Sequence, residues 1–276
     1  MAQVFFDHIS ATPLDPRVFA AMKPYFTELY GNPSSHIHDQ GQAALKAVDA
    51  ARSAVAALIG ARPGEIVFTS GATEANNLAV KGAADAGGKK GNHVVASEIE
   101  HFSVLNSFIP LRNRGCEVTL LRVDRDGKVD PEDVRKAIRP DTAMVSVMHA
   151  NSEIGTIEPV AEIGRIARER GVLFHVDATA SAGHIPIDVV EIGADLVTLS
   201  AHNFYGPKGA GALFVREGVV LASQIDGGFQ ERGFRAGTEN VPGIVGMGAA
   251  AGIAVDEMAG SALQRSIRRA WPASGT

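Results

Sequence analysis

The feature that most constrains this chain is an alternation. Short apolar blocks of strand length take turns with stretches that have helical spacing. The blocks are Ile66-Val67-Phe68, His93–Ala96, Glu117–Arg122, Ala143–Met148, Val172–Val176, Ala194–Leu199 and Ala212–Val215. Between them lie Thr73–Ala84, entered through Ser70-Gly71, then Ser103–Arg114, and Val160–Arg170, closed by Gly171. A further helix runs from Asp130 to about Ile138, with Asp130 as cap and Pro131 in its first turn. Strands that are apolar throughout are buried on both faces. The pattern therefore predicts an α/β fold: a mostly parallel seven-stranded sheet covered by helices on both sides.

The flanks fill in around that unit. Val4-Phe5-Phe6 reads as a short opening strand, and Asp7–Pro16 as a polar loop. Pro16 opens a helix to Met22. From about Asp39 to Ile59 the residues Ala43, Ala44, Ala47, Val48, Ala51, Val55, Leu58 and Ile59 follow helical spacing, with Gly60 beyond the end. Val241–Met258 is a long helix of small residues. With no repeat and no low-complexity linker, residues 1–258 read as one large domain and 259–276 as an irregular tail.

Composition excludes some partners. A net charge of -5 gives no electrostatic reason to expect nucleic acid or an anionic membrane. One cysteine, Cys116, excludes an internal disulfide and fits a reducing compartment. No apolar stretch approaches a membrane span, and no basic segment followed by an apolar one opens the chain, so a cytoplasmic protein is the expectation.

In an α/β fold, chemistry gathers where strands end, and here the strand ends are unusually polar. Ser70-Gly71-Ala72-Thr73-Glu74 sits at a strand-to-helix turn, where free N–H groups and the helix dipole can cradle an anion; a plain helix entry capped by threonine is the simpler reading. His175 and Asp177 share one strand face, and an aspartate at a buried strand end needs a cation or donor. Glu100-His101 and Met148–Gly155 follow two other strands. Ser200-Ala201-His202-Asn203 ends the next, before the Gly206–Gly209 turn. His36-Ile37-His38 lacks further zinc ligands and reads as a surface loop. Asp124–Gly127 is a turn with its glycine too early for a calcium loop. Cys116 has no helix N-terminus to activate it and reads as a buried thiol.

Taken in order, these motifs resemble the cysteine desulfurases of iron–sulfur cluster assembly, in the class V aminotransferase group with the type I pyridoxal-phosphate fold. The resemblance rests on Asp7 with Ala11-Thr12-Pro13, Gly31–Ser35, Thr69–Glu74, Glu100-His101, Asn151–Gly155, His175–Thr179, Tyr205–Gly209 and Arg235–Asn240, and runs from about Val4 to Met258. It implies that Ala72 and Thr73 hold the cofactor phosphate, with Ser200 and His202 on its other side. It implies that His101 stacks on the pyridine ring and moves protons, and that Asp177 pairs with the ring nitrogen. Thr238 would reach the phosphate across a homodimer interface.

Several positions depart from the family pattern. Asn203 stands where the family has its Schiff-base lysine, Ala180 where it has glutamine, Ser152 where it has asparagine, and Phe229 where it has glycine. The family also continues into a small C-terminal domain, of roughly a hundred residues by the usual size of such units, which carries the sulfur-accepting cysteine and a carboxylate-gripping arginine; the expectation is that this domain is lacking here. An amide is neither a nucleophile nor titratable near neutrality, so desulfurase activity is expected to be weak or absent. Pyridoxal phosphate would bind non-covalently or not at all, with cysteine or a related amino acid as substrate and a sulfur acceptor or cluster scaffold protein as partner. The alternatives are a non-catalytic dimeric scaffold or binding module on this fold, and another class V aminotransferase or lyase.

Overall fold

A computed structural model describes residues 5–86 and 92–260. The chain enters through an irregular stretch to Asp15, whose side chain caps a first helix, α1 (Pro16–Met22), by accepting from Arg17 N. A short α2 (Pro24–Thr27) and the long α3 (Asp39–Leu58) follow. The alternating unit then runs β1 (Ile66–Thr69), α4 (Ala72–Ala86), β2 (His93–Ser97), α5 (Phe102–Leu105), α6 (Phe108–Asn113) and β3 (Glu117–Leu121). It continues through α7 (Pro131–Ala137), β4 (Thr142–Ser146), α8 (Val160–Arg170), β5 (Leu173–Asp177) and α9 (Val189–Ile192). β6 (Leu196–Ser200), β7 (Gly211–Val215) and α10 (Val241–Gly260) complete it.

The seven strands form one sheet in the order β1-β7-β6-β5-β4-β2-β3. Only β7 runs against its neighbours, pairing antiparallel with both β1 and β6; the remaining pairs are parallel. The sheet is thus mostly parallel, as its apolar blocks require. Strand side chains alternate between faces, and the core divides accordingly. Ile66 and Phe68 look toward α3, α8 and α10. Val67 looks the other way, into a cluster built by Ala75, Leu78, Ala79 and Ala83 of α4 with Phe108 and Leu111 of α6. Each large apolar side chain so buried contributes about 1.5–3 kcal/mol.

Small residues are used where elements approach closely. A Cβ on Gly248 of α10 would come within 2.5 Å of Ala51 Cα in α3. One on Gly211, at the start of β7, would come within 2.6 Å of Gly71 Cα, beside the entry to α4.

Four expectations need correction. Phe5 and Phe6 form no strand; they are 57% and 89% exposed, and the chain bends back through His8 N to Phe6 O at 2.9 Å and Ser10 Oγ to Asp7 Oδ2 at 2.7 Å. Val4 lies outside the described residues. The stretch from Ser103 to Arg114 is two helices rather than one, because Pro110 has no N–H to give Asn106 O and the chain tightens there, with Ser107 N donating to Val104 O at 3.0 Å. The last helix extends to Gly260, so only 261–276 of the expected tail remains, and it lies outside the described residues. Finally, Val241–Ala259 is long and apolar enough to cross a membrane by length and composition. Here it packs as a core helix, with Ile244, Met247, Ala250 and Ala251 buried against the α3 side of the sheet.

Candidate functional site

The register of the sheet sets the site. Thr69 of β1 and Ser200 of β6 both pair with Gly211 of β7, so three strand ends form one row. Asp177 of β5 pairs with Thr198 of β6, next along the same end. The carboxyl ends of the parallel strands therefore gather Thr69, Ser200 and Asp177 at one rim, where ligands of open α/β sheets bind.

At the first of these ends the chain turns through Gly71, at φ +149°, into α4. Ala72 and Thr73 occupy its first turn, where N–H groups have no helical partner. Thr73 is exposed and lies inside the helix rather than capping it. Glu74 instead accepts from Ser70 N at 2.8 Å, closing the turn, and binds Arg235 Nε at 2.9 Å. Burial works to raise the Glu74 carboxyl, but these donors outweigh it and hold it below its ordinary value.

Across the row, Ser200 is buried and its Oγ lies 3.1 Å from His202 Nδ1. Burial, reinforced by the charge of Lys208, pushes the His202 imidazole below its ordinary value, so it is neutral at pH 7. Asn203 follows on a short helical turn, Ala201–Asn203. Its side chain leans on the N-terminal segment, with Nδ2 3.4 Å from Ile9 O, while Oδ1 is buried and unpaired. Thr12 ties the same segment down more firmly: its hydroxyl donates to His202 O at 2.8 Å and accepts from Tyr205 N at 2.8 Å.

Asp177 is 5% exposed. Its Oδ2 accepts from Asn76 Nδ2 at 2.7 Å and its Oδ1 from Thr179 N at 3.0 Å. Asn76, fully buried on α4, also donates to Ser103 Oγ at 2.8 Å. Ser103 Oγ in turn lies 2.7 Å from Nδ1 of His101, an exposed ring that caps α5. His101 and Asp177, far apart in sequence, are thus two ends of one hydrogen-bonded chain. Behind His101, Glu100 is 4% exposed and accepts from Ser97 Oγ at 2.6 Å and Met148 N at 2.8 Å. Burial pushes its carboxyl up to about 8, against those two donors, so it carries a proton at neutral pH.

The structure brings together Ala72, Thr73, Asp177, Ser200, His202 and Asn203 at one sheet end, with His101 joined to Asp177. Ala180 follows the same strand end and offers only a methyl group. Ser152 lies exposed in the turn after β4, three residues past His149, whose N–H donates to Asp177 O at 2.9 Å, and Asn151 organises that turn by accepting at Oδ1 from Glu153 N at 2.9 Å. Thr238 is exposed and makes no side-chain hydrogen bond among the described residues. Cys116 precedes β3 and so lies at the opposite, amino end of the strands; it is half-buried rather than buried as expected, and that partial burial pushes its thiol up. His38 serves as a helix cap, its Nδ1 accepting from Gly41 N at 3.2 Å. From the sequence, Asn76 has no expected site role, Ser103 is expected only as the start of a helix, and Thr12 only as part of a motif. The one available signal was Asn76 itself, a polar residue at a helix position flanked by the buried face Ala75, Leu78 and Ala79.

Comparison with known proteins agrees with this geometry. The Aminotransferase class-V family profile matches residues 4–270. The cysteine desulfurase IscS of Anaeromyxobacter dehalogenans (strain 2CP-C) is 57% identical over 253 residues, covering 91% of this chain and 63% of that relative. The chain thus spans somewhat less than two thirds of that relative's length. A solved structure described as a NifS-like protein superposes with a TM-score of 0.91 at 40% identity, covering 98% of this chain and 74% of that one. The structure of SspA in complex with cysteine matches with a TM-score of 0.87 at 41% identity, covering 90% of this chain and 72% of that one. The chain belongs to the class V aminotransferase family and, within it, to the cysteine desulfurases that share the type I pyridoxal-phosphate fold.

Proposed function

We propose that this chain holds a pyridoxal-phosphate pocket of cysteine desulfurase type that binds its cofactor without a covalent amine, so that its desulfurase activity is weak or absent. The observation that supports this best is Asp177. It is a buried carboxylate with two neutral donors, Asn76 and Thr179 N, and no cationic partner among the described residues. A buried anion without a cation costs several kcal/mol. A protonated pyridine nitrogen is such a cation, so the residues present fit the ring.

Ala72 and Thr73 at the α4 N-terminus, with Ser200 and the neutral His202, would hold the phosphate. His101 would lie against the ring and help move protons at its edge. Asp177 would keep the proton on the ring nitrogen. Ala180 offers no hydrogen bond to a cofactor oxygen, and Ser152 a shorter reach than an amide. Thr238 would complete the phosphate site of a second copy in a homodimer. When bound, the cofactor supplies an electron sink for the bond broken at the substrate's α-carbon.

Asn203 is what limits the reaction. Its amide cannot capture an aldehyde or shuttle the α-proton. Lys208, five residues on, is exposed beyond the Gly206-Pro207 turn. The substrate class is cysteine or a related amino acid, and the setting is sulfur transfer for iron–sulfur cluster assembly in the cytoplasm, with a sulfur acceptor or scaffold protein as partner. A non-catalytic scaffold on the same fold is the second reading, favoured by Asn203 alone.

The test is to add pyridoxal phosphate and cysteine to the wild type and to Asn203→Lys, following visible absorbance and sulfide. Cofactor uptake by both, with little or no sulfide from the wild type and a cofactor that survives dialysis only in the lysine variant, supports the proposal. Failure of both proteins to take up cofactor removes it.

A further inference from the structure

The chain of bonds from Asp177 to His101 has a direction, and it can be worked out donor by donor. A carboxylate only accepts, so the Asn76 group facing Asp177 Oδ2 at 2.7 Å must be the amide nitrogen. That nitrogen has two hydrogens. The second goes to Ser103 Oγ at 2.8 Å. The Ser103 oxygen is thereby an acceptor on this side, which leaves its own hydrogen for His101 Nδ1 at 2.7 Å. The backbone N–H of Ser103 also points at Nδ1, at 3.1 Å. A nitrogen receiving two donors cannot carry a proton. Asn76 Oδ1 is buried and unpaired. Turning the amide over would relieve that oxygen only by setting it against the carboxylate, and the structure leaves it orphaned instead.

We infer that Asn76 and Ser103 are positioning residues that fix His101 in one tautomer, with its proton on Nε2 and set there by the charge of Asp177. The exposed edge of the imidazole is then a hydrogen-bond donor. His101 offers a proton to an acceptor atom on the ligand, an oxygen anion or a thiolate, and does not withdraw one at Nε2 while this arrangement lasts. The inference deepens the proposed function, on which it rests for the identity of the ligand.

Nuclear magnetic resonance on cofactor-free protein with 15N-labelled histidine tests it, with His101 signals identified by their loss in His101→Gln. The wild type is expected to show a proton on Nε2 and none on Nδ1. In Ser103→Ala one donor to Nδ1 is removed, and the Nδ1-protonated form should rise about fivefold, the worth of one neutral hydrogen bond. In Asp177→Asn the Asn76 amide can turn, the Ser103 hydroxyl follows it, and the same form should rise. A wild-type ring protonated on Nδ1 overturns the inference whether or not the variants fold. So does a wild-type tautomer ratio in either variant. Cofactor titration in parallel keeps the two readings apart: failure to bind pyridoxal phosphate with the expected tautomer removes the proposed function and leaves the relay standing.

Discussion

Replacing Asp177 by asparagine separates what this residue does for the fold from what it does for a ligand. The side chain is 5% exposed and is held by two neutral donors, at 2.7 and 3.0 Å. In cofactor-free protein the substitution removes a buried charge, which favours folding. It also risks one acceptor, because an amide has a single oxygen. Thr179 N can keep that oxygen, and Asn76 can turn its orphaned Oδ1 toward the new amide nitrogen. The first effect offsets or exceeds the second, so the stability should not fall by more than about 1 kcal/mol. A cofactor with a protonated ring nitrogen loses much more, a charge-assisted bond of about 1.5–3 kcal/mol in a water-poor site, which is roughly a 10- to 150-fold weaker Kd. Urea unfolding of the cofactor-free variant measures the first quantity, and absorbance titration with pyridoxal phosphate the second. A variant that loses more than about 3 kcal/mol of stability while binding cofactor as the wild type does would refute the reasoning, because Asp177 would then be a structural residue.

Two other perturbations test the frame around the site. Glu231 is joined to Arg52 by two contacts of 2.7 Å, accepts from Phe68 N at 2.8 Å, and has a side chain only 2% exposed. Glu231→Gln strands a mostly buried guanidinium and should cost about 3–5 kcal/mol in urea unfolding. Glu100 titrates near 8 in the folded protein against an ordinary 4.5, because burial disfavours its charge. A raised acid stabilises the fold fully below 4.5, and this contribution is lost as pH rises through 8. Glu100→Gln cannot lose a proton, so its stability relative to wild type should climb over that interval, and a flat difference would contradict the buried, protonated carboxyl.

Much of this architecture is legible in the sequence because two-sided burial writes itself as continuous apolar blocks. Val94-Val95-Ala96 and Leu196-Val197 can be little else than central strands. The strand-end residues Asp177, Ser200 and His202 were equally visible, since polar groups there need a reason. What stayed hidden depends on contacts between elements. Asn76 lies in the middle of a helix, and only the approach of α4 to β5 shows that it faces Asp177. Ser103 looked like a helix start, and only the position of Asn76 gives its hydroxyl a direction. Thr12 is informative only once Tyr205 and His202 arrive beside it. The opening Phe5-Phe6 failed for the converse reason: aromatic β-formers make no strand without a neighbour to pair with.

The most direct test of the central claim asks whether Asn203 leaves the cofactor unattached. Both wild type and Asn203→Lys are incubated with pyridoxal phosphate, reduced with borohydride, freed of small molecules and weighed intact by mass spectrometry. The account predicts that the lysine variant gains the mass of one reduced cofactor while the wild type binds reversibly and gains none. A wild-type protein carrying one cofactor at Lys208 would contradict it, because a second amine would then do what Asn203 cannot.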